Sequence, residues 1–279
     1  MSESTILSER VRQHYERRNL SDTILMALKN GGTDIDHLKP EDLAPIDEFH
    51  IRGRDATREL AQAVSLSLDK HVLDVGSGIG GPSRYIAREF GCRVTGIDLT
   101  EEYCMVAEML AERMGLASLL DYRQGDALSL PFAESTFDVV WTQHTAMNIS
   151  DKETFYRELF RVLKPGGELA IYDVLAGVAG PLYFPVPWAS VPETSYLIGP
   201  EALRRLLETS GFIIENWQDV TEKACVWAIK MAQKIESTGL RPIGINLLLG
   251  PIFLEMIQNQ RRNAEEGRMM LGQIVARKP

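Results

Sequence analysis

The sequence predicts an α/β protein, a doubly wound, mostly parallel sheet of seven strands with helices ahead of it and helical lid insertions after the fifth and sixth strands. Three observations lead there. The apolar run Val72-Leu73-Asp74-Val75 breaks into Gly76-Ser77-Gly78-Ile79-Gly80-Gly81 and then into helix-like sequence, which reads as a strand, a tight turn and a helix start. From there to about residue 217, strand-like and helix-like stretches alternate, as they do when parallel strands are joined by crossover helices. The rhythm fails at residues 175–199, where prolines and aromatics crowd Phe184-Pro185-Val186-Pro187-Trp188-Ala189-Ser190-Val191-Pro192. That stretch is too long for a plain connection and is read as a lid.

Residues 4–31 read as helical, with Leu7, Val11, Tyr15, Ile24, Leu25 and Leu28 at helical spacing and Gly31-Gly32 as the stop. An approach segment, residues 45–57, leads into a helix that is expected to run to about Leu68. Residues 1–68 are thus expected to form a helical cap and approach, and residues 69–279 the sheet domain. After the glycine turn, Pro82 suits a first helical turn and Gly91 its end. Residues 92–98 form the second strand, with Asp98 at its carboxyl end. Thr100, followed by Glu101 and Glu102, is expected to cap a helix that stops at Gly115. Residues 119–124 and 137–142 are the third and fourth strands. Ser150 and Glu153 have capping-box spacing for a helix to Leu163, and Lys164-Pro165-Gly166-Gly167 turns the chain into a fifth strand at 168–174. A helix from Gly199-Pro200 to Gly211 precedes a sixth strand at 212–217. Residues 219–266 hold two further helical stretches, one with Trp227 and Met231, the other with Phe253 and Met256. Residues 267–278 read as a last strand joining the sheet's edge.

Composition narrows the function class. The chain has 279 residues, 44% hydrophobic and 25% charged, which is ordinary globular usage. A net charge of −9 argues against nucleic acid as a partner, since phosphate binding needs a basic face. Small molecules are the expected ligands. Cys92, Cys104 and Cys225 show no C-x-x-C spacing, so neither a zinc site nor a disulfide framework is indicated. Residues 1–18 are charged, without the apolar core of a signal peptide, and no uncharged run approaches the ~20 residues of a membrane span. The expectation is a cytoplasmic monomer or homodimer with no membrane partner.

Gly76, Gly78 and Gly81 spell G-x-G-x-x-G, which alone also fits a dinucleotide loop. Asp74 shifts the reading, because a carboxylate there repels a pyrophosphate and accepts hydrogen bonds from an ammonium. The string Asp74-x-Gly76-x-Gly78-x-Gly80, with Gly81 after it, resembles the cofactor loop of class I S-adenosylmethionine (SAM) methyltransferases. Asp98, Gly125-Asp126-Ala127, Leu130-Pro131-Phe132 and Leu163-Lys164-Pro165-Gly166-Gly167 resemble the later motifs of that family in the correct order, over roughly residues 45–175. The resemblance implies a Rossmann-like fold, SAM as cofactor and S-adenosylhomocysteine (SAH) as product. It also implies Asp98, with Leu99 beside it, at the ribose hydroxyls, and Asp126 with Ala127 at the adenine. As local features alone, Asp98 also reads as a helix cap and Asp126 as a turn residue.

The segment Phe49-His50-Ile51-Arg52-Gly53-Arg54-Asp55-Ala56-Thr57 resembles the approach segment of N-methyltransferases acting on sarcosine, dimethylglycine or phosphoethanolamine. That implies His50 or Arg54 at the cofactor's carboxylate; otherwise the cluster is a solvated helix start. Tyr15 matches the N-terminal helix that closes over the cofactor and acceptor in those enzymes, or it is a packing residue. The fourth strand opens into Gln143-His144-Thr145-Ala146-Met147-Asn148, which the resemblance puts beside the methyl group, with Gln143 and His144 toward the cofactor and Met147 and Asn148 toward the acceptor. Sarcosine and dimethylglycine enzymes often have Asp where His144 stands, and phosphoethanolamine enzymes have His where Asn148 stands. His144 is either a general base, with turnover rising through a pKa of about 6 to 7, or a contact to cofactor or backbone.

Trp188 and Trp227, with Tyr183 and Phe184, either line an acceptor pocket or form lid core. No metal is expected: Asp173 stands at a strand end where metal-dependent O-methyltransferases place an Asp, but their following Asp-Asn signature is absent. The sequence thus points to SAM-dependent methyl transfer to a nitrogen or oxygen of a small molecule. The alternatives are C-methylation of a larger apolar acceptor, which the apolar residues at 247–249 and Phe253 suit, an NAD(P) oxidoreductase, and a cofactor-binding module without catalysis.

Overall fold

The computed structural model describes residues 3–15, 19–239 and 243–279. Its strands are β1 (His71–Val75), β2 (Arg93–Asp98), β3 (Leu120–Gln124), β4 (Phe137–Gln143), β5 (Leu163–Ala176), β6 (Ile213–Asp219) and β7 (Met269–Arg277). The helices are α1 (Glu3–Tyr15), α2 (Leu20–Asn30), α3 (Pro40–Leu43), α4 (Arg54–Gln62), α5 (Gly81–Phe90), α6 (Glu101–Arg113), α7 (Lys152–Val162), α8 (Pro200–Thr209), α9 (Thr221–Thr238), α10 (Asn246–Leu249) and α11 (Phe253–Glu265). The sheet has seven strands in the order β3-β2-β1-β4-β5-β7-β6, whose direction of winding reverses between β1 and β4 as in a doubly wound α/β protein. β1 to β5 pair in parallel, and β7 runs antiparallel to both its neighbours.

Successive residues of the central strands face opposite layers, which is why both faces are apolar. Val72, Trp141 and Tyr172 join α4 and α5 residues such as Leu60 and Ile86 on one face. Leu73, Val140 and Ile171 meet Phe155, Leu159 and Leu203 of α7 and α8 on the other. Leu20, Ile24 and Leu28 of α2 pack on Val106 and Leu110 of α6. No described helix is long and apolar enough to cross a membrane.

Several boundaries differ from the sequence reading, each for a local reason. The helical stretch expected over 4–31 contains α1 and α2; Asn19 takes a left-handed conformation (φ 58°) that asparagine tolerates, and α2 starts after it. Residues 16–18, the side chain of Leu7 and residues 240–242 lie outside the described residues. α4 stops at Gln62 rather than near Leu68, where Ser67 Oγ bonds Asp69 and the Ser65 amide donates to Glu168, so polar side chains replace helical bonds. Asp151, not Ser150, caps α7, its Oδ1 accepting from the Thr154 amide at 2.9 Å. Thr100 occupies the cap position of α6 without a side-chain cap bond. β5 begins at Leu163, taking in the expected glycine turn, and runs to Ala176. The last strand does not join the edge. β7 lies between β5 and β6 and is buried along most of its length, whereas β6 is mostly exposed and forms the edge.

The approach segment is fastened onto the glycine loop. A Cβ on Gly81 would collide with the Asp47 carbonyl, so the two backbones meet only because Gly81 has no side chain. Arg84, buried on α5, donates from Nη1 to the Ile79 carbonyl at 2.6 Å and from Nη2 to Asp47 Oδ1. Burial pushes the Asp47 carboxyl up while the Arg84 guanidinium pulls it back. Removing one member of such a pair leaves the other buried and uncompensated. Arg84→Met is therefore expected to destabilise the fold by about 3–5 kcal/mol in urea unfolding, and a loss below about 1 kcal/mol would show the clamp to be dispensable.

Candidate active site

The carboxyl ends of β1, β2, β3 and β4 open onto one cavity of about 1290 Å³ including its open mouth. Each wall follows from a strand end. The chain leaves β1 through Gly76 (φ 75°) and Gly78 (φ 53°), both left-handed. At Gly76 a Cβ would run into the Thr145 side chain, so the turn and the end of β4 touch. Asp74 lines this cavity, buried, with its Oδ2 accepting from Ser83 Oγ at 2.5 Å. Burial raises its carboxyl to about 7, against the Ser83 bond. Asp98 also lines the cavity, and its two oxygens accept the amides of Gly78 at 2.9 Å and Thr100 at 2.8 Å. Burial pushes Asp98 up as well, while those amides pull it down. Asp126 lines the same cavity and accepts the Leu128 amide, with Leu99, Ala127 and Leu128 supplying apolar wall.

Gln143 lines this cavity too, and its orientation is fixed. Its Oε1 accepts from Trp141 Nε1 at 2.9 Å and lies 3.2 Å from Thr57 Oγ1. An indole N–H only donates, so the atom facing it is the oxygen. Nε2 is left buried without a hydrogen-bond partner among the described residues. This orphaned donor, the glycine turn and three carboxylates in series suit a ligand with a cationic end, hydroxyls, an amine and a carboxylate, which is the donor and acceptor set of SAM.

A second, smaller cavity adjoins the first through shared walls: Tyr15, Phe49, His50 and His144 line both. Met147, Trp188 and Trp227 line it, with Ile245, Leu249 and Ile257, and the side chain of Gln260 is its polar exception on the α11 side. His144 stands at the junction with positive φ (51°), fixed by its amide on the Tyr172 carbonyl at 2.8 Å and stacked on the Tyr172 ring at 5.4 Å. Burial, then the neighbouring His50, holds its imidazole well below the usual histidine range.

Asn148 clasps the roof. Its Oδ1 accepts from Tyr15 OH at 2.9 Å, and its Nδ2 donates to the carbonyls of Trp188 at 2.7 Å and Thr194 at 2.9 Å. One side chain thus joins α1, the segment after β4 and the proline-rich insertion. His14 adds to it, with ring nitrogens 3.1 Å from the Pro187 carbonyl and 3.3 Å from Ser190 Oγ.

Not every residue singled out from sequence reaches a cavity wall. Gly80 and Gly81 shape the loop without lining either cavity. The basic cluster is not a solvated helix start: His50 and Arg52 are buried, and its cations meet the chain's own carboxylates. Arg52 pairs with Glu59, and Arg54, expected near a cofactor carboxylate, lies 3.4 Å from Asp47 and 3.7 Å from Glu48 and lines neither cavity. Tyr183 is held between the guanidiniums of Arg262 and Arg268, outside both cavities, and Phe184 packs into the core. Asp173 is buried on the Ala146 and Val174 amides, and among the described residues no group of three or more His, Cys, Asp and Glu is arranged for a metal. Sequence reasoning gave no role to Glu48, Thr57 or Gln260. Gln260 was findable, since a polar residue four positions after Met256 interrupts an apolar helical stripe.

Comparison with known proteins agrees with this layout. A family model described as a methyltransferase domain matches residues 73–171. Methyltransferase GfsG of Streptomyces halstedii is 34% identical over 134 residues, covering 48% of this chain and 48% of that protein, so the chain matches about half of that relative's length. The chloroplastic tocopherol O-methyltransferase of Arabidopsis thaliana is 29% identical over 231 residues, covering 75% of this chain and 63% of that protein. The crystal structure of the cyclase SpnF superposes with a TM-score of 0.66 at 28% identity, over 81% of each chain. Other matched relatives are named as N-, O- and C-methyltransferases. The sheet order, the strand-end carboxylates and these matches place the domain at residues 73–171 among the class I S-adenosylmethionine-dependent methyltransferases.

Proposed function

We propose that the protein transfers a methyl group from SAM to a nitrogen or oxygen of a small, largely apolar molecule. The observation that carries this reading is the pair of joined cavities, one walled by carboxylates and a glycine turn, the other by apolar side chains. In this reading Asp74 faces the ammonium end of SAM, Gln143 Nε2 donates to its carboxylate, Asp98 accepts from the ribose hydroxyls and Asp126 from the exocyclic amine. When bound, SAM supplies an activated methyl on a sulfonium. The chain aligns that methyl with the acceptor, excludes water under the Asn148 clasp, and takes a proton from an N–H or O–H acceptor at one of the two imidazoles of the junction. The aromatic and aliphatic lining of the second cavity also favours a second reading, C-methylation of an apolar acceptor.

Incubating the full chain with SAM carrying a 13C-labelled methyl and a panel of apolar phenols, alcohols and amines separates these readings, because C-, N- and O-methyl groups have distinct NMR shifts. Labelled O- or N-methyl product is expected; SAH binding without any product would leave a cofactor-binding module, and binding of NAD in place of SAH would overturn the reading. The pH profile carries a second expectation. His144 is held uncharged well below the usual range, so turnover limited by it is flat across neutral pH, and the rise through about 6 to 7 expected from sequence moves to lower pH.

Asp74 gives a third. An ammonium prefers the ionised carboxylate, and Asp74 titrates near 7 in the ligand-free protein. SAH affinity should therefore fall as pH drops below that value, approaching tenfold per pH unit, and Asp74→Asn should flatten the profile while weakening binding. A wild-type affinity independent of pH between 5 and 8 would remove Asp74 from the ammonium's neighbourhood.

A further inference from the structure

A general base must hold the positive charge it gains, and the two imidazoles at the junction differ in that respect. Among the described residues, His144 has a buried Nε2 without a partner and no carboxylate hydrogen-bonded to its ring; its ring neighbours are Tyr172 and His50. His50 is built differently. Its Nε2 lies 2.8 Å from Glu48 Oε2, with both side chains almost fully buried, at 4% and 3% exposure. Thr57 Oγ1 donates to the same carboxylate oxygen at 2.8 Å, and Arg54 Nε lies 3.7 Å from its other oxygen. Burial alone would lift the Glu48 carboxyl, but the bonds from His50 and Thr57 and the Arg54 charge bring it below the usual range, so it is ionised.

An ionised carboxylate only accepts hydrogen bonds, which puts the imidazole proton on Nε2 and the lone pair of the uncharged ring on Nδ1. Nδ1 lies 3.5 Å from the carbonyl of Ile51, a residue that lines the apolar cavity but not the carboxylate-walled one. Once protonated, Nδ1 has that carbonyl to donate to, and Nε2–H has an ionised partner, a bond roughly twice as strong as a neutral one. Beyond Glu48 and Arg54, the titratable groups around His50 are His144, Tyr172 at a ring distance of 5.9 Å, and Asp74, whose carboxyl responds to the His50 charge.

We propose that His50, oriented by Glu48, is the base that takes the acceptor's proton, and that His144 is an uncharged wall of the junction. This rests on the methyl-transfer reading above. As a lone pair of the acceptor oxygen bonds to the methyl carbon, the carbon–sulfur bond breaks with its electrons going to sulfur, and the O–H proton passes to His50 Nδ1. The products are a methyl ether, SAH and a Glu48–imidazolium pair, which returns the proton to solvent. Glu48 acts through His50 and is a positioning residue.

The test is turnover of the full chain with SAM on a series of para-substituted phenols running from para-tert-butylphenol to the more acidic para-nitrophenol. A missing base matters most for the acceptor that holds its proton hardest, whereas a merely structural lesion lowers every rate alike. His50→Gln should lose about 10²- to 10⁴-fold on the least acidic phenol, with the loss shrinking steadily along the series. Glu48→Gln should show the same trend at smaller amplitude, and His144→Gln an even loss. Calorimetric SAH affinity and the melting temperature report whether each variant is folded, and His50→Gln decides alone if Glu48→Gln does not fold. A flat loss for His50→Gln, or the sloping loss appearing in His144→Gln instead, overturns the assignment. Wild-type protein that binds SAH but methylates none of the phenols, including ionised para-nitrophenol, overturns the methyl-transfer reading beneath it.

Discussion

The site depends on the contact between the approach segment and the glycine loop. Gly81 lets the Asp47 backbone lie directly on the turn after β1, and Arg84 pins it there through a buried ion pair. The next residues of the chain are then placed without further choice: Glu48 and His50 fall under the start of α4, and Phe49 and His50 enter the wall between the cavities. Charge burial of this kind adds little net stability. Its effect here is one of position, since it carries a loop that has no strand or long helix of its own to the carboxyl ends of the strands.

Carboxylates dominate the main cavity: Asp74, Asp98 and Asp126 line it at the strand ends, with Arg12 of α1 on its wall. Asp74 and Asp98 are both pushed up by burial, and among the described residues neither is ion-paired with a basic side chain. A pocket that raises its own carboxyls is destabilised by their ionisation and gains most from a ligand that brings positive charge. Asp47 and Glu48 differ in having Arg84, Arg54 and His50 against them, so their charge is met within the protein.

Much of this was legible in the chain because glycines and carboxylates at strand ends are local signals. Asp74, the glycine turn, Asp98 and Asp126 each stand where a strand-like run stops, and the fold brings those stops to one edge. The position of β7 was not legible in that way, since the order of strands in a sheet is a tertiary choice. Its continuous apolar run, Met269 to Val275 apart from Gly272 and Gln273, still marked a central strand more than an edge. The basic cluster was read by residue type alone, and type does not say which carboxylate a cation faces. Arg54 turned to Asp47 and Glu48, while Glu48, two residues before His50, supplied the partner that sequence reading passed over.

If the strand ends hold SAM, one measurement bears on it more directly than any rate: the crystal structure of the full chain with SAH. The ammonium should lie beside Asp74, the carboxylate within hydrogen-bonding reach of Gln143 Nε2, the ribose hydroxyls on Asp98 and the exocyclic amine toward Asp126, with the sulfur pointing to the wall formed by His50 and His144. Density for SAH elsewhere, or in the reverse direction with its adenine against the apolar cavity, would contradict the assignment of both cavities.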